Sequence, residues 1–197
     1  MYDRKDRHYR RAKQQGLRSR AAFKLDDLDR GLVRSGDRVL DLGCWPGGWL
    51  QIAAGRIGPS GVVVGVDMRK AEPFAARNVR VIEGDVTAPK VLDEISRALG
   101  APADVVLSDL SPKLTGVRDR DEAQSSELVR AALGVVDRLL RPGGHFVCKI
   151  FMNADYNALR DEVRRRFEDV SATRSEATRK GSAELYLIAK RFRGRGG

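Results

Sequence analysis

Leu40-Asp41-Leu42-Gly43-Cys44-Trp45-Pro46-Gly47-Gly48-Trp49 joins an apolar strand to a glycine-rich turn and then to a helix. Residues 38–42 read as a short buried strand, and a helix starting near Gly47-Gly48 presents free backbone N–H groups to a polar ligand. Glycine lets such a ligand approach the main chain. The spacing differs from G-x-x-x-x-G-K-[ST], because no Lys follows, and from the dinucleotide pattern G-x-G-x-x-G. ATP hydrolysis and hydride transfer are therefore disfavoured. A tight strand-to-helix turn also calls for glycine on structural grounds alone, so a ligand site needs support from the rest of the chain.

That support comes from a row of carboxylates. Asp67 ends the run Val62-Val63-Val64-Gly65-Val66, Asp85 follows Val79-Arg80-Val81-Ile82-Glu83-Gly84, and Asp109 ends Ala103-Asp104-Val105-Val106-Leu107-Ser108. With Asp41, four successive strand candidates each run into an acid. One such Asp is an ordinary turn former or helix cap. In a parallel sheet all four gather along one edge, where open α/β sheets bind ligands. An acid after the second strand is placed to accept hydrogen bonds from a ribose diol, and Asp85 to face an adenine amino group. The edge suits a nucleoside better than a polyphosphate.

Size and charge narrow the class further. The 197 residues are expected to form one domain. The sequence holds no internal repeat, no apolar run near the roughly 18 residues of a membrane span, and a first segment too charged for a secretory signal. Its two cysteines, Cys44 and Cys148, form neither a metal-ligand pair nor a disulfide scaffold, so they read as small buried side chains in a reducing cytoplasm. The formal charge of +10 is concentrated at the ends: residues 1–20 hold eight Lys/Arg against two acids, and residues 174–197 hold seven against two. Basic ends around a near-neutral middle are a footprint for a polyanion, with nucleic acid leading and a membrane surface disfavoured for want of an apolar face.

Strands and helices alternate along the chain. A first helix is expected over residues 19–33, where Leu25, Leu28 and Leu32 repeat at helical spacing. Strands follow near 38–42, 62–67, 79–83, 103–109 and 144–151, with helices near 48–57, 88–99, 121–140 and 155–167. Arg141-Pro142-Gly143-Gly144 reads as a helix stop and turn. Two further strands, near 168–174 and 184–191, flank the turn Arg179-Lys180-Gly181-Ser182 and are expected to close the sheet as an antiparallel pair. The fold class is a doubly wound α/β sheet with an antiparallel edge.

Two lysines stand out by their surroundings. Lys149 lies in the apolar strand His145-Phe146-Val147-Cys148-Lys149-Ile150-Phe151, where an ammonium needs a carboxylate partner or a neutral state. Asp109 is the natural partner. Lys24 sits among small and apolar residues on the first helix and reads equally well as a solvated side chain, just as Glu184 reads as a sheet-edge charge.

Ser19-Arg20-Ala21-Ala22-Phe23-Lys24-Leu25, Asp41-Leu42-Gly43 with Pro46-Gly47-Gly48-Trp49, Ser108-Asp109-Leu110-Ser111-Pro112, Lys149-Ile150-Phe151 and Ser182-Ala183-Glu184-Leu185-Tyr186-Leu187 together resemble the FtsJ/RrmJ family of S-adenosylmethionine-dependent ribose 2′-O-methyltransferases. The resemblance spans almost the whole chain. It implies a seven-stranded methyltransferase sheet, a catalytic tetrad of Lys24, Asp109, Lys149 and Glu184, and cofactor contacts at Gly47, Trp49, Asp67, Asp85 and Asp109. It further implies a ribose, a uridine's, in large-subunit ribosomal RNA as the target, with a monomeric enzyme and no metal. Two departures from the family pattern are Cys44-Trp45, where a small pair is usual, and Met152-Asn153-Ala154-Asp155, where a glycine-containing segment is common.

The tetrad makes chemical sense, because a ribose hydroxyl becomes a competent nucleophile only if its proton is removed or its developing charge is stabilised. Lys149 is the expected centre, acting either as a depressed neutral base or as a cation on the oxygen. A ribose methyltransferase acting on a tRNA anticodon loop and a non-catalytic RNA-binding assembly factor are the alternative readings, the second disfavoured by the intact tetrad.

Overall fold

The strands carry apolar side chains on both faces, which a sheet covered by helices on each side requires. The computed structural model describes residues 7–29, 31–113, 115–178 and 181–194. In order these form α1 (Arg7–Gln14), α2 (Ala21–Leu28), β1 (Arg38–Leu42), α3 (Gly48–Ile57), β2 (Val62–Asp67), β3 (Val79–Glu83), α4 (Pro89–Leu99), β4 (Ala103–Ser108), α5 (Arg118–Leu139), β5 (Leu140–Phe151), α6 (Tyr156–Arg166), β6 (Phe167–Thr173) and β7 (Glu184–Phe192). The sheet order is β3-β2-β1-β4-β5-β7-β6. The first five strands are parallel, and β7 runs antiparallel between β5 and β6. The sheet is thus the expected seven-stranded one with an antiparallel edge. The order of strands reverses between β1 and β4, with β2 and β3 added on one side and β5 on the other, so a crevice opens beyond their carboxyl ends.

Period-two alternation divides the core. Leu40, Leu42, Val106, Phe146, Cys148 and Leu187 point to the face covered by α4, α5 and α6. Val39, Val105, Leu107, Val147, Tyr186 and Ile188 point to the face covered by α2 and α3. Both cysteines are free and buried, as their sequence setting implied. Burial pushes the Cys148 thiol up to about 12, so it is not a nucleophile near neutral pH.

Three features differ from the sequence reading. The first helix is shorter: α2 stops at Leu28, and Asp29 turns the chain by accepting the Val33 N–H at 2.7 Å through Oδ1 and the Leu32 N–H at 2.6 Å through its carbonyl. Helical spacing of leucines therefore continued through a side-chain-stabilised turn. The helix α1 was not foreseen, because its polar sequence lacks an apolar period. The expected turn at Arg141–Gly144 is a bulge inside β5, with register passing from Ala103↔Leu140 to Val105↔His145.

The basic residues at the end of β7 do not lie at the crevice. Lys190 pairs in register with His145, near the start of β5, whereas Glu184 pairs with Phe151 at its end. The tail of β7 therefore sits at the edge opposite the crevice, and Arg191 is taken up by Glu168 at 2.6 Å. On the crevice side, α1 exposes Arg10, Arg11 and Lys13, and its exit is tied to α3 by Gln51, which accepts the Arg18 N–H and donates to the Gly16 carbonyl. Arg4, Lys5, Arg179, Lys180 and Arg195 lie outside the described residues, as does the side chain of Arg7.

Candidate active site

Alternation brings the reactive side chains to one face. Asp41 and Lys149 are in step with Val39 and Val147, and Glu184 and Tyr186 with Ile188, so all four point toward α2 and α3. Lys24 comes down from α2 onto the same layer and is only 7 % exposed. Its Nζ meets Glu184 Oε1 at 2.6 Å and the Tyr186 hydroxyl at 3.1 Å. Tyr186 in turn reaches Asp109 Oδ1 at 2.9 Å, and Asp109 Oδ1 lies 3.1 Å from Lys149 Nζ. The four expected catalytic residues are therefore one chain of contacts, Lys24–Glu184–Tyr186–Asp109–Lys149, with two cations and two carboxylates in balance.

The phenol is the link that sequence reasoning missed. Its hydroxyl has one proton and two carboxylate neighbours, Asp109 at 2.9 Å and Glu184 at 3.1 Å. Glu184 Oε1 already accepts from Lys24 and from Thr178 Oγ1 at 3.2 Å, so the proton belongs to Asp109. Burial, and after it the charges of Asp109 and Glu184, hold the phenol pKa well above its ordinary value, which keeps the donor protonated. The signal was present in the strand pattern: Tyr186 lies two residues past Glu184 and faces the same side. It is also the register partner of Lys149.

Lys149, 6 % exposed, donates to the Asp109 carbonyl at 2.7 Å and to Ser111 Oγ besides its contact with the Asp109 carboxylate. Three acceptors around Nζ match the three donors of an ammonium. Ser111 is a second residue whose part was not anticipated.

Lys149 and Asp109 form one end of a cleft of about 960 Å³, and Asp67 and Asp85 line the other, with Gly43, Trp45, Met68, Arg69 and Val86. Asp67 Oδ1 accepts the Arg69 N–H at 2.9 Å and Oδ2 the Trp45 N–H at 3.0 Å. Each oxygen keeps further acceptor capacity, which suits a diol. Asp85 Oδ1 accepts from Thr87 N–H at 2.8 Å and Thr87 Oγ1 at 2.7 Å, and these bonds hold its carboxyl below the usual range.

The glycine turn is shaped by crowding. Gly43 has φ +79, and a Cβ there would come within 3.0 Å of the Leu110 backbone nitrogen. Gly47, at φ +110, lies under Phe74 and Arg18, and a Cβ would sit 2.8 Å from the Phe74 ring. Trp49 does not present its indole to the cleft. It is buried against Tyr186, ring centroids 5.9 Å apart, with Nε1–H donated to the Ala21 carbonyl at 2.7 Å. Neither Gly47 nor Trp49 lines the cleft, and both are buried, Gly47 under Phe74 and Arg18, so the structure does not bring these two expected cofactor contacts to the site formed by Asp67, Asp85 and Asp109. Beneath the turn lies Asp41, fully buried, with neither carboxylate oxygen hydrogen-bonded among the described residues. Burial, then Asp109 and Asp67, raise its pKa well above the ordinary value.

Residues 17–192 match the FtsJ-like methyltransferase family. The chain belongs to that family. Among relatives of the FtsJ-like chain, a Methanothrix thermoacetophila protein named ribosomal RNA large subunit methyltransferase E is 47 % identical over 192 residues, covering 96 % of this chain and 74 % of that protein. An Anaeromyxobacter sp. protein of the same name is 45 % identical over 194 residues, 98 % of this chain and 70 % of the other. The crystal structure of a Plasmodium falciparum protein described as a ribosomal RNA methyltransferase superposes with a TM-score of 0.79 at 27 % identity, covering 91 % of this chain and all of that one.

The FtsJ-like cleft fits S-adenosylmethionine on its own residues. Asp67 and Asp85 are acceptors at one end, Met68 supplies an exposed apolar wall, and Gly43 brings bare main chain to the cleft lining. No helix among the described residues is long and apolar enough to cross a membrane.

Proposed function

We propose that this FtsJ-like enzyme uses S-adenosylmethionine to methylate a ribose 2′-hydroxyl, a uridine's, in large-subunit ribosomal RNA. The observation carrying the reading is that the buried Lys24–Glu184–Tyr186–Asp109–Lys149 network ends at Lys149 on the wall of the cleft that Asp67 and Asp85 line. Bound there, S-adenosylmethionine supplies a methyl group on a sulfonium, and its transfer leaves a neutral thioether.

Lys149 holds the arriving hydroxyl oxygen, taking it as a partner in place of Ser111 Oγ. As the oxygen's lone pair forms the new O–C bond, its proton leaves to water, and the ammonium compensates the negative charge that builds before the bond is complete. Asp109 fixes Lys149 from two sides, through its carboxylate and its carbonyl. Tyr186 steadies Asp109, and Lys24 with Glu184 steadies Tyr186, so the whole chain of contacts serves to align one amine. Charge is handled by lysines, and the reading includes no metal. It takes the chain as a single domain acting as a monomer in the cytoplasm.

Arg10, Arg11 and Lys13 on α1 are read as phosphate contacts. RNA affinity should then fall steeply with salt, by about 0.7 to 0.9 in log slope per phosphate neutralised, while cofactor affinity should not. Reversing the three residues to Glu should flatten the slope. A salt-insensitive RNA affinity would remove α1 from the interface.

Incubation with labelled S-adenosylmethionine and, separately, unmodified large subunits, naked ribosomal RNA and tRNA tests the reaction. The expected result is label on one ribose of the large-subunit RNA, with the assembled subunit preferred. Label confined to tRNA would assign the anticodon-loop reaction instead. Cofactor binding with no label on any RNA would point to an assembly factor.

A further inference from the structure

Two side chains at the mouth of the cleft take no part in the catalytic network. Trp45, in the turn after β1, is 42 % exposed, although indoles are mostly covered in folded proteins. Arg69, just past the end of β2, lays its guanidinium over that indole, with Cζ 3.5 Å from the ring centroid. Both residues line the cleft. Their backbone N–H groups also hold the two opposite oxygens of Asp67, Trp45 at 3.0 Å and Arg69 at 2.9 Å. Carboxylate and stacked pair are therefore one mechanical unit, in which the side chains close above the acid that their own main chain orients.

We propose that Trp45 and Arg69 form a clasp over the nucleoside half of S-adenosylmethionine and set how long the cofactor stays bound. This rests on S-adenosylmethionine being the ligand of the cleft. An adenosine has a flat aromatic base and a diol. The unit offers an indole and the 69 % exposed Met68 as apolar surface beside Asp67 and Asp85 as acceptors. A stacked guanidinium–indole pair can also serve as a platform for an RNA base. The acidic floor under this pair, two carboxylates on the same cleft wall, repels a phosphate backbone and favours the cofactor. Each arm comes from a different strand end, so opening the contact frees one side of the cleft without disturbing the sheet.

The full-length protein tests this by titration with S-adenosylmethionine and S-adenosylhomocysteine, and by stopped-flow dissociation. The chain has two tryptophans, and Trp49 is buried with its N–H bonded, so a fluorescence change on cofactor binding should vanish in Trp45→Phe. Trp45→Ala and Arg69→Ala should each raise the dissociation constant and off-rate about 5- to 30-fold, the range of a partly desolvated cation–π contact. The double variant should be no worse than either single one, and Trp45→Phe should stay close to wild type in affinity. An unchanged or tighter dissociation constant in Trp45→Ala would overturn the clasp, as would additive single effects. A raised KM for RNA with unaltered cofactor affinity would assign the pair to the RNA. Wild-type protein that fails to bind S-adenosylmethionine would take the reading of the cleft down with it, and is distinguished because that titration comes first.

Discussion

At the Asp67–Asp85 end of the cleft each carboxylate is held mainly by main-chain N–H groups of strand-end turns, Asp67 by Arg69 of its own turn and Trp45 of the turn after β1, and Asp85 by Thr87. At the Lys149 end every charged group is held by side chains from elsewhere: Lys24 and Glu184 are 160 residues apart, and Tyr186 and Asp109 are 77 apart. The first end is open, with Met68 and Trp45 exposed, and the second is nearly dry, with both lysines under 10 % exposed. The difference fits the tasks proposed for them. A ligand that enters and leaves needs acceptors near water, whereas an amine that must meet one oxygen needs partners that do not rearrange, in a medium where charge interactions are strong.

The largest expected effect lies at the dry end. Lys149→Ala should lower the single-turnover rate by about 10³-fold or more, with cofactor affinity nearly intact; wild-type-like turnover would remove Lys149 from the mechanism. The open end should respond in the opposite sense. Asp67→Ala should weaken S-adenosylmethionine binding by about 1.5–3 kcal/mol with a smaller change in kcat at saturating cofactor, and an unchanged dissociation constant would defeat the assignment to the diol.

Tyr186→Phe probes what holds the dry end together. It deletes one donor to Asp109 and one acceptor for Lys24, so stability should fall by about 1–2 kcal/mol and kcat should fall without a rise in cofactor KM. Thermal unfolding and a double-mutant cycle between Lys24 and Asp109 report it, and coupling that survives the loss of the hydroxyl would break the chain of contacts drawn above.

Asp41, between the two ends, gives a pH signature. Its folded pKa is raised above the ordinary 3.8, so between those values the folded state keeps a proton that the unfolded state has released. Stability contributed by this group is full below about pH 4 and is lost as pH rises through the folded value. Asp41→Asn should remove that slope, gaining on wild type by about 1.4 kcal/mol per pH unit across the window. Denaturation curves with identical pH dependence in both proteins would show Asp41 ionising freely.

Local order along the chain was largely legible. The glycine turn, the strand-end acids and the alternation of strands and helices depend on neighbours a few residues apart, and the seven strands lie within a residue or two of their expected bounds, β5 excepted. Its bulge was not visible, because Pro142-Gly143 signals a break in any setting and only pairing with β4 makes it part of a strand. The composition of the basic ends was equally plain, yet their placement was not: an antiparallel last strand carries Lys190 and Arg191 away from the crevice.

By itself the sequence determined the parallel sheet and the acid-lined edge and, through motifs shared with a family, singled out the two lysines and two acids proposed for the reaction. Only the tertiary structure decided how they touch. The phenol that joins the tetrad, the burial of Trp49 and the stacking of Arg69 on Trp45 arise between segments distant in the chain. Their geometry follows from which strands are adjacent and which face each residue takes, and a linear pattern carries parity along one strand but not the identity of the side chain lying across from it.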